Sequence, residues 1–221
     1  MYLSRLVLNP MSRDVQRDLA DCQALHRTLM SAFPQTSDRP RQHFGVLYRL
    51  EPSEHLILLV QSMAMPDWKG LRAGYVQEEP MVKSLTEQYS RLRDGMVLRF
   101  RLAANPTRKI DTKTGSDGKR RNGKRVVLRR EEEQLAWLVR KARDGGFELL
   151  SLPSRPDIVD VAVLPIGTDR QGKHPNGRLV FGGVLFEGRL KILDAQRFRQ
   201  VLLSGIGSGK AYGFGLLSIA L

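Results

Sequence analysis

The apolar residues of this 221-residue chain follow the same order of predicted elements twice, and that order limits the choice of folds more than any other feature. In the first half, period-two alternation and helical spacing predict strand, helix, strand, strand and strand at residues 2–8, 12–33, 45–50, 55–61 and 85–89. The last of these segments fits a short helix almost as well. The second half predicts strand, helix, strand, strand, helix and strand at residues 97–104, 131–143, 158–166, 179–187, 194–203 and 212–221.

A β-α-β-β-α-β order is typical of the ferredoxin-like fold. Its two occurrences predict an α+β protein with tandem ferredoxin-like domains, residues 1–92 and 93–221. In the first half, an irregular stretch at 63–80 stands where the second helix is expected. The repeat lies in the order of elements and not in residue identity, so a single larger α+β domain remains the alternative.

The charge balance indicates the class of partner. The chain has 36 Lys and Arg against 23 Asp and Glu, a formal net charge of +13 and a pI near 10.4. Such a field attracts polyanions, which makes nucleic acid the default partner. An anionic membrane surface is the weaker alternative, because the sequence has no basic amphipathic anchor, no signal peptide and no long apolar run. We therefore expect a cytoplasmic protein that engages no membrane.

The cysteine and histidine content argues against a metal centre. Cys22 is the only cysteine, which excludes a disulfide framework and a thiolate zinc site. The histidines form no short-spaced pair with one another or with the cysteine; they are His26, His43, His55 and His174. We expect neither a metal nor a cofactor.

Five glycines between residues 205 and 215 form the most distinctive local pattern. A P-loop requires Gly where this chain has Ser204, and Ser or Thr where it has Ala211; a dinucleotide loop precedes a helix, whereas a strand is predicted here. Either the glycines pack the last helix against the last strand, or they let backbone N–H groups approach a ligand. The second interpretation makes Gly207, Gly209 and Lys210 candidate nucleic-acid contacts.

Two basic segments are candidate phosphate-binding elements. Residues 107–130, which include Arg108 and Lys109, form either a solvated loop or an arm that contacts phosphates. Residues 167–174 are predicted to form a hairpin with Arg170 and Lys173 near its tip, or else an exposed turn with incidental charge. Aromatic residues make up 7% of the chain and do not interleave with the basic run, which favours recognition of a folded RNA stem by shape and phosphate.

Several motifs resemble the CasE family, the endoribonucleases of the type I-E CRISPR Cascade complex. In order, they are residues 1–4, His26, residues 100–106, 133–138 and 184–188, the pattern Gly205-x-Gly207 with Gly213-x-Gly215, and residues 216–218. The resemblance implies tandem ferredoxin-like domains and cleavage of CRISPR repeat stem-loops in a precursor transcript. It also implies that the guide RNA product is retained with other Cascade subunits, and that the hairpin at 167–174 enters the groove at the base of the RNA stem.

His26 is the candidate catalytic residue, because RNA cleavage without a metal needs a group that transfers protons near neutral pH, and the resembling family has its catalytic histidine at this position. Arg27 beside it is a candidate phosphate contact. An unbroken helix over 14–33 would instead make His26 a core residue of the apolar stripe. A break in which Asp21 caps a second helix would free His26 from that stripe.

The second catalytic residue remains unassigned. Some relatives have a tyrosine and a lysine where this chain has Gln23 and Ser31, so Lys210 and Arg27 are the candidates for stabilising the transition state. The leading hypothesis is a metal-independent endoribonuclease whose product ends in a 2′,3′-cyclic phosphate. The alternative is a non-catalytic subunit that holds structured RNA in a ribonucleoprotein complex.

Overall fold

The computed structural model describes residues 1–34, 39–51, 53–109, 125–166, 170–174 and 177–220, with the backbone alone for 170–174 and 177–180. The described residues of the first half form four strands and four helices: β1 (Tyr2–Val7), α1 (Arg13–Ala20), α2 (Cys22–Met30), α3 (Pro40–His43), β2 (Leu47–Leu50), β3 (Ile57–Ser62), β4 (Met81–Ser84) and α4 (Thr86–Ser90). Between β3 and β4, the irregular stretch contains only a short 3₁₀ helix, Trp68–Gly70.

The second half is richer in strands. Its elements are β5 (Val97–Ala104), β6 (Thr107–Lys109), β7 (Arg125–Val127), α5 (Glu131–Asp144), β8 (Phe147–Leu149), β9 (Ser151–Leu152), β10 (Arg155–Val159), β11 (Val161–Pro165), β12 (Arg170–His174), β13 (Gly177–Phe181), β14 (Val184–Ile192), α6 (Ala195–Ser204) and β15 (Leu217–Ala220). A 3₁₀ helix, Lys210–Tyr212, lies within the glycine-rich segment. No helix in the described part of the chain is long and apolar enough to cross a membrane.

The two halves have the same sheet topology. The first sheet has the antiparallel order β2-β3-β1-β4. The second has the antiparallel order β11-β14-β5-β15, and β8 also pairs with β14. In each sheet the first main strand of its half lies between the third and the fourth, as the ferredoxin-like fold requires. The prediction of tandem ferredoxin-like domains is therefore confirmed.

Each sheet has its own apolar core. The first core forms between α2 and the sheet, and includes Leu6, Leu25, Leu29 and Leu58. The second forms under α5 and α6, and includes Leu102, Trp137, Phe186, Phe198 and Leu202. The residues that follow β4 pack into the second core. The boundary between residues 92 and 93 stays a prediction.

Four predicted strands differ from the structure. The segment 85–89 is not a strand: the strand ends at Ser84, and Thr86 begins a short helix. The predicted strand at 158–166 is divided at Asp160, and the one at 179–187 is interrupted before Val184 because two separate strand pairs meet there. The last strand begins at residue 217 and not at 212, because the preceding residues form the 3₁₀ helix and a turn.

Buried polar side chains join the two halves. Arg49 of β2 is 2% exposed and donates to the carbonyl oxygens of Leu216 at 3.0 Å and Arg101 at 3.2 Å. Gln61 of β3 donates to the carbonyl oxygen of Leu202 at 2.6 Å. Buried polar groups are costly unless they are hydrogen-bonded, so these contacts favour one relative placement of the two sheets.

Candidate active site

The position of His26 depends on a break between α1 and α2. Asp21 has extended backbone dihedral angles, and its carboxylate accepts a hydrogen bond from the Gln23 N–H at 3.0 Å, so it caps α2. The alternative with two helices is therefore correct, and the unbroken helix is wrong. On α2, Leu25 and Leu29 enter the core, whereas His26 is half-buried and faces the glycine-rich segment.

Asp18 fixes the angle between the two helices. This carboxylate is 1% exposed and accepts hydrogen bonds from the Thr28 hydroxyl at 2.6 Å and the Tyr75 hydroxyl at 2.9 Å. Arg17 completes its set of partners with an ion pair at 2.8 Å. Burial, followed by the neighbouring Asp18 charge, raises the pKa of Tyr75, which therefore stays protonated and keeps donating. The network holds α2, and with it His26, in a fixed orientation.

The imidazole of His26 lies where the two halves meet. Its ring is 6.4 Å from the ring of Tyr212, centroid to centroid, in an edge-on arrangement. Its Nδ1 is buried and has no hydrogen-bond partner among the described residues. Burial lowers the pKa of His26, and the positive charges of Arg41 and Arg27 lower it further. The neutral imidazole is therefore the dominant form at neutral pH, and a neutral imidazole can accept a proton.

Two further cations, one from each half, belong to the surroundings of His26: the 3₁₀ helix that begins with Lys210 lies beside α2, and the charge of Arg41 acts on the imidazole. Lys210, on the glycine-rich segment, is half-buried, and its Nζ donates to the carbonyl oxygen of Ser204 at 2.7 Å. Burial lowers the pKa of Lys210, as do the charges of Arg41 and Lys141. Arg41, at the second position of α3, therefore acts electrostatically on both His26 and Lys210. The sequence had given no signal for Arg41, which lies in a short helix beside the 35–38 segment.

The glycine-rich segment is packed tightly, which supports the first interpretation of its glycines. Gly207 and Gly209 have φ angles of +83° and +75°, which residues with side chains rarely adopt. A Cβ atom on Gly207 would lie 2.9 Å from Trp137 Cζ2, and one on Gly209 would lie 3.0 Å from the Phe214 ring. The Tyr48 hydroxyl of β2 also donates to the carbonyl oxygen of Ala211 at 2.9 Å, which ties this segment to the first sheet.

The basic hairpin lies beside α2, the helix that carries His26. Strands β12 and β13 pair antiparallel, and the backbone of β12 runs next to α2. Lys173 pairs with Arg178 near the closed end, whereas Arg170 pairs with Phe181 at the open end. The prediction that both basic residues lie near the tip is therefore wrong for Arg170, because its segment is one strand of a longer hairpin. The side chains of residues 170–174 lie outside the described part of the chain.

The remaining predicted contacts are dispersed. Arg27 is exposed on α2. Arg108 of β6 forms an exposed ion pair with Glu133 at 3.5 Å, while Lys109 lines a groove that it shares with Lys210. The rest of the basic arm, residues 110–124, lies outside the described residues.

Gln23 and Ser31, the two positions that depart from some relatives, take part in the local structure of α2. The hydroxyl of Ser31 donates to the carbonyl oxygen of Thr28 at 2.8 Å, and the backbone N–H of Gln23 is engaged by the Asp21 cap. Tyr212 was missed as a neighbour of His26, because the contact joins positions 186 residues apart and no local pattern encodes it.

Comparison with known proteins decides the family. The model of the family described as CRISPR associated protein matches residues 1–220. This chain belongs to that family. It is 39% identical over its whole length to the complete CRISPR-associated endoribonuclease Cse3 of Thermus thermophilus. It is also 32% identical to the Cascade subunit CasE of Escherichia coli K12, with 100% of this chain and 99% of the relative covered. The resemblance to CasE is confirmed.

Solved structures of family members have the same fold. Thermus thermophilus Cse3 bound to an RNA that represents a pre-cleavage complex superposes with a TM-score of 0.79 at 38% identity, covering 100% of this chain and 98% of that one. Cas6e from Escherichia coli K-12 gives a TM-score of 0.69 at 29% identity, covering 100% and 99%. A chain of a CRISPR RNA-guided surveillance complex gives 0.67 at 29% identity, with both chains fully covered.

Proposed function

We propose that this chain is a metal-independent endoribonuclease that cleaves CRISPR repeat stem-loops in a precursor transcript and keeps the guide RNA as a subunit of Cascade. Membership of the family, and full-length relatives named as an endoribonuclease and as a Cascade subunit, support the class of activity. The observation that carries the mechanism is the neutral, half-buried imidazole of His26, on which the charges of Arg41 and Arg27 act, on a helix that lies beside the segment with Lys210.

The proposed reaction begins with proton transfer from the ribose 2′-OH to His26, whose lowered pKa favours the neutral form that can accept it. The 2′-oxygen attacks the adjacent phosphorus, and negative charge develops on the phosphorane oxygens. Arg41 and Lys210 are the cations that stabilise this charge, together with Arg27 at the exposed edge. The 5′-oxygen then leaves with a proton carried by the imidazolium. The products are a 2′,3′-cyclic phosphate and a 5′-hydroxyl.

Recognition of the stem is assigned to the elements around α2. The hairpin β12–β13 supplies Arg170 and Lys173 for the phosphates at the base of the stem, because its backbone runs beside the helix that carries His26. Arg108 and Lys109 extend the cationic surface on β6. Gly207 and Gly209 form the turn that presents Lys210. The chain has a net charge of +13, so we expect the affinity to fall steeply with salt.

The test compares His26→Ala with the wild-type protein on a labelled repeat stem-loop in the presence of EDTA. Loss of the proton-transfer group should slow single-turnover cleavage by about 10²- to 10⁴-fold while binding of the stem-loop persists. His55→Ala is the matched control, because His55 is exposed in the turn between β2 and β3 of the same half. Wild-type rates in His26→Ala, or products ending in a 3′-hydroxyl, would contradict the mechanism. Binding without any cleavage by the wild-type protein would favour a non-catalytic RNA-binding subunit.

A further inference from the structure

A basic groove of about 450 Å³ opens beside the glycine-rich segment, and the chemistry proposed for His26 does not use most of it. One wall is formed by the last turns of α5, with Arg140 and Lys141, and another by the basic strands β6 and β7, with Lys109 and Arg125. Lys210 also lines the groove, and its 3₁₀ helix lies beside α2, which carries His26.

The charge of the groove is poorly balanced. Among the described residues that line it, five side chains are cationic and Asp144 is the one carboxylate. Asp144 contacts Lys141 at a long 3.6 Å, and both Arg140 and Asp144 are exposed. Cations that are held close together repel one another in the free protein, and an anionic ligand that neutralises several of them at once is favoured. The groove is therefore suited to a polyanion.

The groove reaches the candidate active site through Lys210, which lines the groove on a 3₁₀ helix that lies beside α2. The charges of Lys141 and Arg41 both act on Lys210, and that of Arg41 also acts on His26. A chain of phosphates that lies in the groove would thus lead towards the imidazole. Consecutive phosphates on one strand are the ligand that such a path fits.

The floor of the groove indicates whether it contacts the bases or the backbone of an RNA. Trp137 is 3% exposed, and its ring packs against Phe186 at 6.3 Å in a stacked arrangement, so it is not available to stack on a base. Gly207 lies over its edge, and any side chain at that position would collide with the indole. The walls, in contrast, carry long flexible cations. The groove therefore contacts the RNA backbone and does not discriminate between bases.

We propose that this groove binds the phosphates of single-stranded RNA that flanks the repeat stem-loop next to the cleaved bond. A volume of about 450 Å³ is in the range of sites that enclose a small ligand, so it holds a nucleotide or two of one strand. Duplex RNA is instead contacted across an open surface that spans about 16 base pairs in double-stranded-RNA-binding domains. The inference rests on the proposed function for the identity of the RNA and adds to it a binding site outside the stem.

The test measures affinity against salt for the full chain with three RNAs that carry a 2′-deoxy substitution at the cleavage position and are therefore not cut. One RNA has single-stranded flanks on both sides of the repeat stem-loop, one lacks the 5′ flank and one lacks the 3′ flank. The variant Arg140→Gln with Lys141→Gln should lower the salt slope for the fully flanked RNA by about 1.4, because each lost single-strand contact lowers it by about 0.7. Removing the flank that lies in the groove should abolish the difference from wild type, which also shows which flank it is.

The matched control is Arg130→Gln with Arg143→Gln, which removes two exposed charges from the ends of the same helix, outside the groove lining. It should leave the slope near the wild-type value, and unchanged unfolding midpoints should show that both variants fold. Equal losses in the control, no loss in the groove variant, or the same loss on all three RNAs would overturn the proposal. The readout is binding, so it stands apart from the cleavage assay: failure of the wild-type protein to cut all-ribose RNA would refute the proposed function and leave this result interpretable.

Discussion

Replacing Arg49 with Met should destabilise the protein more than any other substitution of an arginine between β1 and β4. The methionine keeps most of the apolar volume but removes the donors to the carbonyl oxygens of Leu216 and Arg101, and to the hydroxyl of Ser218 at 2.9 Å. It also removes the buried charge that pairs with Glu51, whose side chain is only 10% exposed. Removing one partner of a buried, hydrogen-bonded ion pair costs about 3–5 kcal/mol, so we expect a loss of that size in the free energy of unfolding.

Urea-induced unfolding followed by circular dichroism measures this loss. Arg99→Met is the control, because Arg99 is exposed on β5, two residues before the Arg101 carbonyl that accepts from Arg49, and it should change the stability by less than about 0.5 kcal/mol. The double variant Arg49→Met with Glu51→Leu should be more stable than Arg49→Met alone, since no carboxylate is then left without this partner. A change below about 1 kcal/mol in Arg49→Met, or a double variant that is less stable still, would refute the reasoning.

Three further predictions concern pH, the glycine-rich segment and the helix cap. The acid limb of kcat/KM should lie below pH 6.5, because a base with a lowered pKa stays neutral to lower pH. On acidification the unfolded state binds a proton at His26 before the folded state does, so the free energy of unfolding of the wild-type protein should fall as pH drops below about 6.5. In parallel pH titrations of stability, His26→Gln should remove this dependence. Gly205→Ala should lower the free energy of unfolding by about 1–3 kcal/mol more than Gly95→Ala does, as measured by thermal unfolding. Both glycines have positive φ, but only at residue 205 would the added Cβ collide, because it would lie 2.8 Å from the Gly215 carbonyl oxygen. Asp21→Ala should lose about 1 kcal/mol of stability and slow cleavage, whereas an unchanged melting curve would show that the cap does not hold α2.

The sequence carries most of the fold and one half of the candidate site. Alternation and helical spacing are local signals, so β5, α5 and α6 are found within a residue or two of their predicted bounds. The same local chemistry makes Asp21 a plausible cap, and that cap decides which side of α2 His26 occupies. Short elements are predicted poorly because a local pattern can fit two structures. The alternation at 85–89 fits a strand and a helix, and packing against the second core selects the helix.

The other half of the site depends on contacts that no local pattern encodes. Arg41 stands in a four-residue helix with no apolar periodicity, and only the folded chain brings its charge to His26 and Lys210. Tyr212 was predicted to be the first residue of the last strand. In the structure it ends a 3₁₀ helix, and its ring contacts His26 of α2. The position of the basic residues in the hairpin likewise depends on which residues of its two strands pair. Arg170 was predicted to lie near the tip, but it pairs with Phe181 at the open end.

The division of the candidate site between two halves of the chain has a consequence for the order of events during synthesis. The histidine is made early, and the segment that carries Lys210 and Tyr212 follows after nearly the whole second sheet. At a ribosomal rate of about 5–20 residues per second, roughly 10 s separate the end of the first sheet from the glycine-rich segment. Throughout that interval a nascent chain has the imidazole but not the segment with Lys210 and Tyr212 that lies beside α2 in the folded protein. Under the proposed mechanism, the nascent chain therefore stays inactive until the glycine-rich segment has been made and has folded against the first half.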